Sequence, residues 1–194
     1  FRVLEIVEDT IGNIWFGTSE GLIKYDGVKF KTFSFEEGLP GVNAEIWGLT
    51  IDKNGLIWVG AIGGVCQFNG EQFIPFSLST AKVENATPML SDKLVFKIIE
   101  DNKGNMWFVT DGNGIFKYEN GVFIHLTAKK ELTDNNAADI FEDKQGNIWI
   151  GTFNGGVSKF DGKTYTNFTK AGIIAGVETY NFYEDSQGNI WFTA

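Results

Sequence analysis

The tetrapeptide Gly12-Asn13-Ile14-Trp15 recurs along the chain, and the other segments are spaced around it. Four later boxes share its glycine and tryptophan, at 55–58, 104–107, 146–149 and 188–191, so five of the six tryptophans occupy one position of a repeat. The spacings between these tryptophans are 43, 49, 42 and 42 residues. A period of this length accommodates four short strands per unit. The sequence therefore predicts an all-β protein built from repeats.

Each unit shows the same order of apolar segments and turn residues. In the first unit the segments 1–7, 14–18, 22–25 and 29–33 read as strands, and Asp26-Gly27 is a strong two-residue hairpin signal. Repetition of this plan predicts a β-propeller of four-stranded antiparallel blades, with four full blades and half of a fifth in a single domain. The predicted units are approximately 1–43, 44–92, 93–135, 136–177 and 178–194.

Residues 128–143 contain several good helix formers, including Lys129, Lys130 and Glu131. Alignment of the repeats instead places a strand at 137–141 and a loop before it. We therefore predict a strand in this segment rather than a helix.

The box tryptophans are predicted to pack between neighbouring blades, where each large ring buries enough apolar area to contribute a few kcal/mol. Trp47 lies outside the boxes, which makes it the better candidate for stacking on a ligand. Acidic pairs such as Glu8-Asp9 recur at a constant distance from the box. An active site needs one asymmetric cluster, so this recurrence favours a role in the turns rather than in catalysis or metal binding.

The composition excludes several classes of partner. The chain has 16 basic and 25 acidic residues and a net charge of -9, which opposes binding to nucleic acid or to an anionic membrane surface. The single cysteine, Cys66, cannot form an internal disulfide, so cysteine usage does not indicate a compartment. The sequence contains no apolar run long enough to span a bilayer.

The whole unit reads Glu-Asp-x-x-Gly-Asn-Ile-Trp-x-Gly-Thr, a short turn, Gly-Leu-x-Lys-Tyr-Asp-Gly and a phenylalanine-rich strand. This pattern resembles the two-component regulator propeller repeat along the whole chain, most clearly at 8–27 and 142–162. The second and third units depart from it, with Ile51 in place of glutamate and Val109 in place of glycine. The resemblance implies a sensing or binding role, without catalytic residues, at a bacterial periplasmic or cell-surface location. In that family such modules are implicated in the detection of glycan fragments.

A ligand site is predicted at one end of the blades. Strand directions place the loops between the second and third strands at the same end as the loops that join consecutive blades. These loops differ between units, and the longer segments are 38–45, 79–92, 128–136 and 171–178. The candidate ligand-binding residues are Glu20, Trp47, Asp111, Asn113, Phe153 and Asn154. The alternative interpretation is that these loops merely tolerate variation.

An enzyme would need a nucleophile, a base or a metal set. His125 stands alone at the end of a strand, where a structural role is expected, and Cys66 reads as a small buried side chain. We predict no catalytic residue, no metal site and no cofactor.

Three hypotheses remain, in order. The first is a ligand-sensing or binding module, the second a scaffold for protein interactions without a small ligand, and the third a hydrolase or lyase. The expected partners are a glycan or other small ligand, and either the remaining blades of a larger propeller or a second copy of the chain, because four and a half blades would leave apolar blade faces uncovered.

Overall fold

The computed structural model describes residues 1–41, 45–76, 82–84, 94–168 and 178–193. These residues form 19 β-strands and one short 3-10 helix, Phe35–Glu37. In chain order the strands are β1 (Val3–Glu8), β2 (Ile14–Thr18), β3 (Gly21–Tyr25), β4 (Phe30–Phe33), β5 (Ile46–Ile51), β6 (Ile57–Ala61), β7 (Gly64–Phe68), β8 (Phe73–Pro75), β9 (Lys82–Glu84), β10 (Val95–Glu100), β11 (Met106–Thr110), β12 (Ile115–Glu119), β13 (Val122–Leu126), β14 (Ala137–Glu142), β15 (Ile148–Thr152), β16 (Gly156–Phe160), β17 (Tyr165–Asn167), β18 (Tyr180–Glu184) and β19 (Ile190–Thr193).

The chain divides into two compact units. The first comprises 1–82 and 87–100, and the second comprises 83–86 and 101–194. In the first unit β1–β4 and β5–β8 are antiparallel sheets in chain order, and β10 packs against β5. In the second unit β14–β17 form a sheet of the same order, β11–β13 pair consecutively, and β18 pairs with β19. The fold is all-β, with propeller blades that match the predicted repeats: four full blades and a partial fifth.

The turn chemistry follows the prediction. Asp26 accepts hydrogen bonds from the backbone N–H groups of Val28 and Lys29, both at 2.9 Å, and its own N–H donates to the Lys29 carbonyl. This is the Asp-Gly hairpin between β3 and β4. Gly12, in the turn between β1 and β2, has a φ of 87°, a left-handed conformation that favours glycine. The glycine of each box is therefore required by the turn that precedes the tryptophan.

The strand in segment 137–141 is confirmed, because the structure has β14 there and no helix. One element was not predicted. The segment 79–92 was expected to be a loop, and the structure places the short strand β9 within it, beside β13. An outer strand such as β13 has a free edge of hydrogen-bonding groups, which can accept one more short strand.

The predicted packing of the box tryptophans is confirmed for Trp15, Trp58 and Trp107, which are buried, and is incomplete for Trp149 and Trp191. Trp15 stacks on Phe33 of its own blade at 5.7 Å and contacts Phe68 of the next blade at 5.4 Å. Trp107 is completely buried, whereas Trp191 is 62% exposed. The box tryptophan is covered by the third strand of the following blade, and the described chain holds no such strand beyond β19. Trp149, which lies before the partial fifth blade, is half-buried for the same reason.

Candidate functional site

The two ends of the blades differ in chemistry. We call the end with the β1–β2, β5–β6, β10–β11, β14–β15 and β18–β19 turns the turn end. The turns between the third and fourth strands of a blade, such as β3–β4 and β7–β8, lie at the same end because the strands are antiparallel. The end with the β2–β3, β6–β7, β11–β12 and β15–β16 loops is the loop end. The loops that join consecutive blades also lie at the loop end, as predicted. In the second unit, Gly114 N–H donates to the Asn135 carbonyl and Phe153 N–H donates to the Asn136 carbonyl, both at 2.8 Å.

At the turn end, the aspartate of each acidic pair holds the box tryptophan. One carboxylate oxygen of Asp101 accepts the backbone N–H groups of Lys103 and Asn105, and the other accepts the Asn105 amide and the Trp107 indole N–H at 2.8 and 2.9 Å. Burial opposes ionisation of Asp101, but these hydrogen bonds outweigh it and lower its pKa. The aspartates therefore act as fixed acceptors within the turn, in agreement with the predicted structural role.

The glutamate of each acidic pair makes a contact between blades that the sequence did not indicate. It reaches the turn of the preceding blade, where Glu142 accepts the backbone N–H of Asn102 at 2.9 Å. The same contact joins Glu184 to the N–H of Lys144 at 2.7 Å. Burial raises the pKa of Glu142, with Asp101 and Asp143 acting in the same direction and the Asn102 N–H opposing them. These glutamates join neighbouring blades.

Grooves also occur at the turn end, and sequence reasoning did not find them. One of about 260 Å³ lies in the second unit beside Asn102, Glu142 and Tyr165, and one of 340 Å³ lies in the first unit. Each groove is lined by a lysine of a third strand, Lys24 or Lys117. The Nζ of each lysine lies over the box tryptophan of its own blade, 5.3 Å from the centre of the Trp15 ring and 5.4 Å from that of Trp107. The lysine that recurs at one position of the repeat, as Lys24, Lys117 and Lys159, is the sequence feature that could have indicated these grooves. Because equivalent grooves occur in both units, they follow from blade packing.

The six predicted site residues are all in the described chain, but they are divided between the two units. Glu20 and Trp47 belong to the first unit. Glu20 is exposed and forms an ion pair of 3.8 Å with the amino group of Phe1. Trp47 is half-buried, packs edge-on against Phe96 at 5.8 Å and donates its indole N–H to Glu45. Both side chains thus have structural contacts.

Asp111, Asn113, Phe153 and Asn154 belong to the second unit and flank one segment. Asp111 and Asn113 lie in the β11–β12 loop, while Phe153 and Asn154 lie in the β15–β16 loop. The segment 127–136 contacts both loops, because its Asn135 and Asn136 carbonyls accept the N–H groups of Gly114 and Phe153. Asp111 and Asn154 are exposed, and within the described residues neither side chain has a hydrogen bond or an ion pair.

The segment 127–136 is ordered by its own hydrogen bonds. The Asn135 side chain accepts the N–H of Ala128 at 2.8 Å, and Asp134 accepts the N–H of Asn136 at 2.7 Å. Leu132 is fully buried beneath the segment. The loop end of the second unit is therefore preformed around this segment. Of the other predicted loops, 42–44, 79–81, 85–92 and 171–177 lie outside the described residues.

The two residues considered for catalysis have structural roles. His125 stacks on Phe116 at 4.3 Å, and its Nε2 is 2.7 Å from the Asn113 carbonyl oxygen. Cys66 is buried, which raises the pKa of its thiol to about 12. Within the described ranges no group of histidine, cysteine, aspartate and glutamate side chains is arranged to hold a metal ion. No helix in the described part of the chain is long and apolar enough to cross a membrane.

Comparisons with known proteins agree with the fold. Two segments, 89–112 and 131–154, match the family model described as "Two component regulator propeller". The structure is similar to the extracellular domain of a protein described as a hybrid two component system of B. thetaiotaomicron, with a TM-score of 0.78 and 24% identity over 98% of this chain and 26% of that chain. The extracellular domain of a protein of the same organism described as a one component system has a TM-score of 0.78 and 20% identity, over 99% of this chain and 28% of that chain.

A more distant likeness is to virginiamycin B lyase of Staphylococcus aureus, with a TM-score of 0.65 and 16% identity over 99% of this chain and 63% of that chain. The chain thus spans about a quarter of the length of the two B. thetaiotaomicron domains. Among curated protein sequences, none matches significantly. At these identities the structural likenesses establish the fold alone.

Proposed function

We propose that this chain, two segments of which match the two-component regulator propeller model, is a non-enzymatic ligand-sensing module of an extracytoplasmic bacterial signalling protein. The observation that carries the proposal is the preformed loop end of the second unit. There the segment 127–136 joins two loops that present polar side chains without partners in the described chain. The similar B. thetaiotaomicron structures are described as extracellular domains of two component and one component systems, which supports the class of protein and the location.

The chemistry of this loop end suits a small polar ligand. Asp111 supplies a carboxylate, Asn113 and Asn154 supply amides that donate and accept, and Phe153 supplies a partly exposed ring. A few polar groups beside an aromatic surface are typical of small-ligand sites. An oligosaccharide, which presents hydroxyl groups along its edges and C–H groups on its ring faces, fits this set. Glu20 and Trp47 remain predicted ligand residues for the first unit.

The test is a triple substitution, Asp111→Ala, Asn113→Ala and Asn154→Ala, assayed on an oligosaccharide array and by thermal shift. We expect array binding to weaken by about tenfold or more, as the loss of two or three hydrogen bonds predicts. The melting temperature should change by no more than about 2 °C, because such exposed side chains stabilise little.

The matched controls are Glu71→Ala and Gln187→Ala, which remove exposed polar side chains at the turn end. These controls should bind as the parent does. Binding that survives the triple substitution and is lost in the controls would place the site at the turn end, against the proposal.

A further inference from the structure

The first strand of each blade packs on the preceding blade through two equivalent positions. In β5 these are Ile46 and Leu49, which are 0% and 3% exposed. In β14 the equivalent residues Ala137 and Ile140 are also buried. In β1 the same positions hold Val3 and Ile6, which are 45% and 58% exposed. The register bulge that separates the two positions is present in β1, β5 and β14, so the strands are equivalent in shape as well as in sequence position.

A size rule governs these contacts. The first of the two positions faces the residue that lies two places after the preceding box tryptophan. That residue is Gly17 opposite Ile46 and Gly60 opposite Val95. A Cβ at either glycine would lie about 3.0 Å from the facing side chain, and 2.8 Å from the Ile46 carbonyl oxygen or 3.1 Å from that of Val95. Such a distance leaves no room for a larger residue.

The third blade is informative because it breaks the glycine pattern. Val109 occupies the glycine position there, and β11 packs beside β14. The equivalent position of β14 is Ala137, the smallest side chain found at that position in the chain. A large residue on one strand is therefore met by a small residue on the other.

A hydrogen bond accompanies the apolar contact. The glutamate at the end of the first strand accepts the backbone N–H that follows the turn aspartate of the preceding blade. Glu100 accepts from Lys53 at 2.6 Å, and Glu142 and Glu184 accept in the same way. Glu8 occupies this position in β1, is exposed, and has no such partner within the described residues.

We propose that the β1 face, defined by Val3, Ile6 and Glu8, binds a further propeller repeat that carries an Asp-x-x-Gly turn and a glycine two residues after its tryptophan. Ile6 supplies apolar area, and Glu8 accepts the N–H that follows the incoming turn aspartate. Val3 is β-branched like Val95, so it needs the glycine opposite, as Val95 does. The fifth repeat, β18 and β19, does not meet this requirement, because Thr193 lies two residues after its tryptophan where a glycine is needed. The fifth repeat of a second copy is therefore a poor occupant of the β1 face.

The test uses the whole chain and its own fifth repeat as the probe. Thr193→Gly gives that repeat the required glycine, so head-to-tail association between copies should become possible. By sedimentation velocity over a concentration series, we expect the variant to associate about tenfold or more tightly than the parent, since overpacking of this kind costs about 1–3 kcal/mol. Thr193→Ala, which keeps a Cβ but removes the branch, should lie between them.

Substitutions on the β1 face identify the surface. In the Thr193→Gly background, Val3→Asp and Glu8→Lys should each return the chain to monomers. Val28→Asp, at an 88% exposed position of the β3–β4 hairpin, is the control and should leave association intact. Equal association of the parent and Thr193→Gly would overturn the size rule, and association that is insensitive to Val3→Asp and Glu8→Lys would show that another surface is used.

Discussion

The turn end and the loop end of the blades use the same strands in different ways. At the turn end every described repeat has the same bond from the box indole N–H to an aspartate, at 2.8 to 2.9 Å: Asp9–Trp15, Asp52–Trp58, Asp101–Trp107, Asp143–Trp149 and Asp185–Trp191. At the loop end one side-chain bond recurs in three repeats, from the hydroxyl of Thr18, Thr110 or Thr152 to a glycine carbonyl three or four residues later. Beyond it the loops differ, and Asp111 and Asn154 have no side-chain hydrogen bond or ion pair within the described residues. The difference indicates that one end specifies the blade and leaves the other end free to vary.

The largest effect should come from the turn end. Trp107→Ala removes a fully buried ring and leaves the carboxylate of Asp101 without one of its donors, so we expect a loss of about 3–5 kcal/mol in the free energy of unfolding. Trp191→Ala, at a 62% exposed ring with the same hydrogen bond, is the matched control and should cost about 1 kcal/mol. Urea titration followed by far-UV circular dichroism measures both. Equal losses would show that the hydrogen bond, and not burial, determines the role of the tryptophan.

The repeat, its strands and its turns could be predicted because they depend on local signals: the periodic tryptophan, the Asp-Gly hairpins and the glycine before each box. The bond between Glu142 and the Asn102 N–H could not, since its partners are 40 residues apart and meet only when blades pack. For the same reason one role was predicted for every box tryptophan, whereas the burial of Trp107 and Trp191 differs with the blade that follows each of them. The candidate site residues stay predictions, because a loop's position does not reveal what it binds.

A smaller loss is expected from Asp101→Asn. The substitution places an amide donor among four N–H donors, so at least one buried donor loses its acceptor, at a cost of about 1–3 kcal/mol. Asp111→Asn, at the loop end, makes the same chemical change and should be nearly neutral. Urea midpoints at neutral pH compare the two, and an equal effect would contradict the assignment of stability to the turn end.

The loss of stability at acidic pH should depend on the aspartates of the turn end. The pKa values of Asp9, Asp101 and Asp143 are lowered from 3.8, since hydrogen bonds outweigh burial, so the stability they contribute is present above pH 3.8 and is lost as pH falls further. Glu142 has the opposite sign, because its raised pKa makes stability fall as pH rises from 4.5 through the folded-state pKa. The decrease in the urea midpoint between pH 5 and pH 3 should therefore be smaller in Asp101→Asn than in the parent. An unchanged decrease would show that other carboxyl groups control acid unfolding.

The smallest effect should come from the loop end, at two neighbouring residues that separate exposure from packing. Asn154→Ala removes an exposed side chain without a partner in the described chain and should change the free energy of unfolding by less than about 0.5 kcal/mol. Gly155→Ala is the matched change, because its new Cβ would lie 2.9 Å from Thr133 and Asp134 and would displace the segment 127–136, at a cost of about 1–3 kcal/mol. Thermal and urea unfolding of both variants check the expectation. If Asn154→Ala is as damaging as Gly155→Ala, the polar side chains of this loop are needed for the fold, and the case that they are free for a ligand fails.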